Sequence, residues 1–224
     1  MSEALPVSSA LDEETARAEV YGLLAQLWYA PPGADLLARL QVAVTEAPAA
    51  GAFLEEPWRT FVGVARETTA AQAAAEYDAL FGGVGKPECY LFGSHYLAGF
   101  LNERPLARLR DDLGALGLTR DEMTMPETED HVAYLCEVMR YLIAGDDPPP
   151  AGDSPAQRSG TADGEAAVAN LARQRDFFAA HLQPWVGEMC HAVAAHPSAR
   201  LYAALAGFSQ AFFQVEQQGF DLLA

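Results

Sequence analysis

The chain has 224 residues, of which 50% are hydrophobic and 20% are charged, and its formal net charge is −17. This composition is typical of a globular domain rather than of a disordered chain. An excess of 31 acidic over 14 basic residues disfavours binding to nucleic acid or to an anionic membrane surface, because phosphates would be repelled. It favours a basic partner. No run approaches the roughly 20 apolar residues of a spanning helix, so we expect no membrane insertion.

The N-terminus and the cysteines predict the compartment. Residues 1–14 contain acids where a secretory signal would need bases, and they lack an apolar core. Cys89, Cys136 and Cys190 lie far apart and form neither a disulfide framework nor a CxxC metal motif. Buried free thiols in a reducing compartment are the simplest interpretation. We therefore expect a soluble, cytoplasmic protein.

Apolar residues recur at helical spacing along the chain, whereas period-two strand patterns bounded by turns are absent. The predicted helices, in chain order, cover residues 12–29, 36–44, 53–66, 70–81, 105–116, 124–143, 168–193 with a break at Pro184, and 201–215. The sequence predicts an all-α fold, a compact bundle of about eight or nine helices.

Residues 146–164 differ from the rest of the chain. They contain four prolines, three glycines and no large apolar residue, which is typical of a linker. We therefore divide the chain into an N-terminal helical portion (1–145), a flexible linker or hinge (146–164) and C-terminal helices that pack on the same core (165–224). Such a hinge predicts a mostly monomeric protein with a domain-swapped dimer at high concentration.

The clearest helix signal lies in residues 124–143. Thr124 and Glu127 have the S/T-x-x-E spacing of a capping box, and Pro126 suits a first turn. After His131, apolar residues recur at three- and four-residue steps and define one core-facing side. The pattern predicts a helix that begins near Thr124.

A second face of this predicted helix combines acids with tyrosines. Its members are Glu127, Asp130, Tyr134, Glu137 and Tyr141, with His131 at the edge. A solvated face would account for them equally well. Carboxylates pair with arginine and aromatic rings stack on guanidinium groups, so the same face would also suit an arginine-containing peptide.

Three short motifs resemble those of one family. Residues 129–131 (Glu-Asp-His) and the apolar run after them are similar to the E-P-x-D-H signature of the TorD/DmsD family of molybdoenzyme-maturation chaperones. Residues 77–82 resemble the family's Y-x-x-L-F segment, and residues 178–185 resemble F-x-x-H-L-x-x-W. The resemblance extends in order over roughly residues 15–215. The Glu-Pro half of the signature is rearranged in this chain, so the resemblance to the signature rests on the Asp-His pair.

This resemblance implies a cytoplasmic chaperone, without enzymatic activity or a cofactor of its own. It would bind a molybdoenzyme catalytic-subunit precursor through its twin-arginine signal peptide and assist insertion of the molybdenum cofactor before export. In this scheme Asp130 pairs with an arginine of the signal peptide and His131 fixes the local hydrogen bonds. Tyr134 and Glu137 extend the contact surface, to which Glu127 and Tyr141 are added as peptide-binding candidates. The sequence leaves the client enzyme open.

Other aromatic residues leave two interpretations open. Tyr90, Phe92 and Tyr96 lie where a loop enters a helix, and they suit either the core or a groove. His181 is likewise a core or groove histidine. We take these four as candidate groove residues.

An alternative function is a metal-dependent hydrolase or oxygenase that uses Glu127, Asp130 and His131 with His181. Glu127 and His131 would be one turn apart on the predicted helix. The sequence contains no HExxH motif, no cysteine cluster and no G-x-S-x-G nucleophile elbow. Enzymatic chemistry is therefore the less favoured interpretation.

Overall fold

The computed structural model describes residues 7–45, 54–82, 86–99, 104–123, 125–144 and 160–222, with backbone alone for residues 7–12 and 160–165. The helices are α1 (Val7–Tyr29), α2 (Ala34–Gln41), α3 (Glu55–Arg66), α4 (Ala70–Phe81), α5 (Gly93–Ala98), α6 (Arg104–Ala115), α7 (Val132–Ala144), α8 (Gly160–His181), α9 (Val186–Ala195) and α10 (Leu201–Asp221). The all-α prediction is confirmed. There are ten helices within the described ranges, rather than eight or nine, because residues 93–98 form a helix of their own and the break near Pro184 separates α8 from α9.

Helix α1 lies at the centre of the core, where it packs against α7 and α10. Its predicted apolar face is buried in part: Leu24, Leu27 and Trp28 are at most 1% exposed, whereas Val20 and Leu23 are half-buried and Ala16 is exposed. Tyr21, which lies beside that face, has no exposed surface. Burial of each such side chain is worth about 1.5–3 kcal/mol. The indole Nε1 of Trp28 donates to the Ser209 hydroxyl at 3.1 Å, so the polar atom of this large side chain is satisfied inside the core.

A partly buried ion pair connects α1 with α10. Arg17 donates to both carboxylate oxygens of Glu216 at 2.7 and 2.8 Å, and the hydroxyl of Tyr21 donates to the same carboxylate at 3.0 Å. Burial raises the pKa of Tyr21, and the charge of Glu216 raises it further. Because the bidentate geometry satisfies the buried carboxylate, Glu216 can lie on the otherwise apolar face of α10.

The predicted start of the helix before residue 143 and the predicted end of the linker both differ from the structure. The helix expected to begin near Thr124 begins at Val132 instead, and Thr124 lies outside the described residues. Glu127 and Asp130 are therefore in a loop. Most of the predicted linker, up to residue 159, lies outside the described residues, but residues 160–164 form the start of α8. None of the described helices is both long and apolar enough to cross a membrane.

Helix α4 begins where the alanine-rich pattern predicts, and a capping box marks its start. Thr69 Oγ1 accepts from the backbone N–H of Gln72, and the Gln72 side chain accepts from the N–H of Thr69. Thr69→Ala is expected to lower the free energy of unfolding by about 1 kcal/mol in urea titration, because one amide donor loses its partner. Thr69→Ser, which keeps the hydroxyl, should stay close to wild type. Equal loss in both variants would contradict a capping role.

Candidate functional site

Two distant segments meet where α5 and α7 begin. Phe92 and His131 form an isolated antiparallel bridge. The N–H of Val132 donates to the carbonyl of Leu91 at 2.8 Å, and the N–H of Gly93 donates to the carbonyl of Asp130 at 2.9 Å. We call residues 91–94 and 128–132 the junction. These bonds hold the starts of both helices side by side.

The carboxylate of Asp130 lies inside the junction and is only 3% exposed. One oxygen accepts from the backbone N–H of Ser94 at 2.9 Å, and the other accepts from the hydroxyl of Thr128 at 2.6 Å. A carboxylate can accept about four hydrogen bonds, so acceptor sites remain. Asp130 therefore both orients the first turn of α5 and retains capacity for another donor.

His131 caps α7. Its Nδ1 accepts from the backbone N–H of Ala133 at 3.2 Å, which requires a neutral ring with the proton on Nε2. The ring packs edge-on against Phe92 at 5.0 Å and Tyr29 at 6.2 Å between centroids. Burial lowers the pKa of His131 to about 4, although the charge of Asp130 acts in the opposite direction. This histidine is therefore neutral at physiological pH.

Two arginines that no sequence motif marked fix the loop before the junction. Arg120 donates to the carbonyls of Met125, Pro126 and Glu127 at 3.1, 3.0 and 2.7 Å. Glu129, which is 8% exposed, accepts from Arg110 at 2.9 and 3.0 Å. Burial by itself would raise the pKa of Glu129, but the Arg110 guanidinium lowers it below its ordinary value. These contacts explain why residues 125–131 remain a loop.

A cavity of about 300 Å³ borders the junction between α5, α6 and the turn from α8 to α9. Ser94, Asp130, His181 and Trp185 line it, together with apolar residues of α5 and α6. Ser94 is fully buried, and its hydroxyl has no hydrogen-bond partner among the described residues. A Cβ at Gly93 would lie 2.9 Å from the indole Nε1 of Trp185, so glycine permits this close approach. An unpartnered hydroxyl thus lies beside a buried carboxylate.

The cavity continues along α6 and α8. A second cavity of about 300 Å³ shares Arg108 and His181 with the first one and extends to Asp112 and Arg173. His181 Nε2 lies 2.8 Å from an Asp112 carboxylate oxygen. Burial lowers the pKa of His181, although Asp112 acts to raise it. Arg108 is 72% exposed and lies 3.9 Å from Asp112, so its charge is directed toward solvent.

Of the four candidate groove residues, one lines a cavity and three are half-buried in aromatic contacts. Of these four, His181 lines the cavities just described. Tyr96 stacks on Trp185 at 5.6 Å and donates to the carbonyl of Tyr90 at 2.9 Å. Tyr90 in turn stacks on the ring of His95 at 3.8 Å, while Phe92 packs against His131. Tyr96 therefore supports Trp185, which lines the first cavity.

The six peptide-binding candidates do not lie along one helix face. Asp130 and His131 are buried at the junction, and Glu127 is exposed in the preceding loop. Burial of Tyr77 raises its pKa to about 12, and the charge of Glu127 contributes to this rise. The others, which are half-buried along α7, are Tyr134, Glu137 and Tyr141. Asp130 and Glu137 border different cavities.

The residues of the alternative, metal-dependent function do not form a metal site. Within the residues that the structure describes, no group of three or more histidine, cysteine, aspartate or glutamate side chains could hold a metal ion. Glu127 is in a loop rather than one helical turn before His131, and His181 pairs with Asp112. Glu127, Asp130, His131 and His181 therefore do not come together as the hydrolase or oxygenase alternative requires. Cys89, Cys136 and Cys190 are buried free thiols, as predicted.

Comparison with known proteins places this architecture in a class. The family model described as "Nitrate reductase delta subunit" matches residues 47–191, a range that contains the junction and most of both cavities. The chain belongs to this family, whose members are maturation chaperones that bind a molybdoenzyme catalytic subunit. The predicted resemblance to molybdoenzyme chaperones is thereby confirmed. A comparison with curated proteins gave no match.

Proposed function

We propose that the chain binds an arginine-containing segment of its molybdoenzyme client, in the manner expected of a twin-arginine signal peptide, at the cavity beside Asp130. One observation carries this proposal: a buried carboxylate with unused acceptor capacity lines a cavity next to the Ser94 hydroxyl, which has no hydrogen-bond partner among the described residues. Bound in this way, the precursor would stay in the cytoplasm and remain open for insertion of the molybdenum cofactor before export.

A guanidinium group suits the chemistry of this cavity. Its five N–H donors form a planar fork, which can reach the remaining lone pairs of Asp130 and the Ser94 oxygen. Trp185 and the leucines of α5 and α6 form an apolar wall for the aliphatic stem of the arginine. Arg108 also borders the cavity and would oppose a second cation, but its 72% exposed side chain can turn toward Asp112 and solvent.

The junction residues have distinct roles in this proposal. Asp130 contacts the client arginine, and His131 is a positioning residue that caps α7 and supports the bridge to Phe92. Glu127, Tyr134, Glu137 and Tyr141 are proposed as flanking contacts for the rest of the client segment.

Ser94→Ala provides a direct test by calorimetry with a peptide that contains an Arg-Arg pair. The variant is expected to bind about tenfold more weakly, because a hydroxyl that contacts a charged group is lost. Its thermal stability should not fall, since this hydroxyl makes no hydrogen bond within the described residues. Replacing Arg-Arg by Lys-Lys in the peptide should also weaken binding to the wild type, because lysine lacks the planar fork.

Ser198→Ala is the matched control, because Ser198 is exposed in the turn before α10. It should bind the Arg-Arg peptide as the wild type does. Equal affinity of wild type and Ser94→Ala for that peptide, with no preference for arginine over lysine, would reject the cavity as the recognition site.

A further inference from the structure

A larger depression follows the exposed side of α1. One cavity of about 880 Å³ lies between α1, α2 and α7, and another of about 410 Å³ lies between α1, α3 and the segment after α2. Both are lined by Glu19, Leu23 and Trp58, so they are continuous. We call this combined depression the α1 trough.

The spacing of residues on α1 explains the shape of the trough. The lining positions 14, 18, 22 and 26 are four residues apart and form one ridge, and positions 15, 19 and 23 form the next. Ala18 and Gly22 occupy the middle of the first ridge, where small side chains leave depth. A Cβ at Gly22 would lie 2.9 Å from Cδ of Arg140, because the stem of that arginine lies directly on the helix backbone.

The floor of the trough is apolar and partly uncovered. Leu23, Leu36 and Trp58 are half-buried, and Val44 is 77% exposed. The indole Nε1 of Trp58 donates to the carbonyl of Val44 at 2.8 Å, so the polar atom of the tryptophan is already satisfied. The remaining indole surface is therefore available for apolar contact.

The two walls of the trough differ in charge. Glu14 and Glu19 on α1 are exposed, and neither has an ion-pair partner within the described part of the chain. On the other side, Glu137 and Arg140 neutralise each other at 2.7 Å. Arg39 on α2 also lines the trough, likewise without an ion pair among described residues. The wall formed by α1 is thus negative, whereas the opposite wall, formed by α2 and α7, is not.

We propose that the α1 trough binds a basic amphipathic helix, whose apolar stripe contacts the floor and whose lysines or arginines face Glu14 and Glu19. This is a second binding surface: none of its lining residues borders the cavity beside Asp130, although Glu137, a proposed flanking contact of the client segment, lies on its α7 side. The net charge of the chain, −17, favours such a basic partner. The chain's own segment 145–159 would be a poor occupant of the trough, because it carries three aspartates, one arginine and no large apolar residue. The assignment of this helix to the client polypeptide rests on the proposed function. The binding of a basic amphipathic helix to the trough is independent of it.

Trp58 provides the first measurement. The probe is a helical peptide of about 18 residues, five turns, with leucines on one face and lysines on the other. Its binding should change the tryptophan emission, and Trp58→Phe should abolish that change, because Trp28 and Trp185 are buried in the core. A scrambled peptide of the same composition has no apolar stripe and should bind at least tenfold more weakly, about 1.4 kcal/mol.

Two pairs of variants separate specific from general attraction. Glu14→Gln/Glu19→Gln should weaken binding of the leucine–lysine peptide about three- to tenfold, whereas Glu188→Gln/Asp221→Asn removes the same charge from exposed sites elsewhere and should have little effect. Val44→Ser should weaken binding, and Val42→Ser, which changes an 81% exposed valine outside the trough, should not. Equal effects within both pairs would overturn the trough proposal.

The two binding surfaces can fail independently. Glu14→Gln/Glu19→Gln should leave the affinity for the Arg-Arg peptide unchanged, and Ser94→Ala should leave the affinity for the leucine–lysine peptide unchanged. A chain that binds the Arg-Arg peptide but not the leucine–lysine peptide refutes the trough and retains the proposed function. The opposite result retains the trough and refutes the cavity beside Asp130.

Discussion

Asp130→Ala is expected to lower the free energy of unfolding by about 2–4 kcal/mol, measured by urea titration at pH 7. The alanine leaves the buried N–H of Ser94 and the hydroxyl of Thr128 without their acceptor. Hydrogen bonds to a charged group are worth about 1.5–3 kcal/mol each, and a buried donor that loses its partner pays its desolvation cost. Water that enters the neighbouring cavity would reduce this loss, which sets the lower end of the range.

Two further variants calibrate the Asp130 result. Asp130→Asn keeps one acceptor oxygen but turns an NH2 group toward a donor, so an intermediate loss is expected. Asp78→Asn, at an exposed position on α4, should stay within about 0.5 kcal/mol of wild type. If Asp130→Ala proved as stable as Asp78→Asn, the carboxylate would not hold the junction together.

The stability of the wild type should fall by about 3 kcal/mol between pH 6.5 and pH 4 through His131 alone. Its pKa is about 4 in the folded chain, because burial disfavours the charged ring, and about 6.5 in the unfolded chain. Within this window the unfolded chain binds a proton that the folded chain does not, so the free energy of unfolding decreases as the pH falls. Well below pH 4 both states are protonated and the contribution becomes constant. Protonation also removes the Nδ1 acceptor that caps α7.

His131→Asn isolates this contribution. The asparagine side chain can accept the N–H of Ala133 as an N-cap, but it does not titrate. Urea midpoints of both proteins at pH 7, 6, 5 and 4 should therefore diverge, with the wild type losing more stability. Carboxylates such as Glu129 titrate in both proteins and cancel in the difference. Parallel curves would show that His131 is protonated equally in the folded and unfolded chains.

The Asp-His pair supports two helices at once, and this gives the sequence signature a physical meaning. Asp130 orients the first turn of α5, and the next residue, His131, caps α7. Neighbouring residues can serve two helices because the chain runs as an extended bridge at this point. A change at either position is therefore expected to alter both the fold and any ligand contact. The side chain of Ser94 avoids this ambiguity, since its hydroxyl has no partner within the described residues.

Local sequence by itself determined the helical architecture. Apolar periodicity predicted the core-facing side of α10 and most of that of α1, and an alanine-rich run placed α4 at residues 70–81. It also predicted that the three cysteines are buried. These features depend on residues within one or two helical turns of each other, and that range is what a periodic pattern records.

Tertiary structure alone decided where α7 begins and what the acids do. The capping box at Thr124 and Glu127 is a valid local signal, but Arg120 binds three successive carbonyls and Leu91 pairs with Val132, so the loop persists to His131. Asp130 bonds to a residue 36 positions earlier, and Glu216 to one 199 positions earlier. Such partners are brought together by packing of helices that are distant in sequence. No local pattern contains them, because the same acidic residue can be solvated or buried depending on what packs against it.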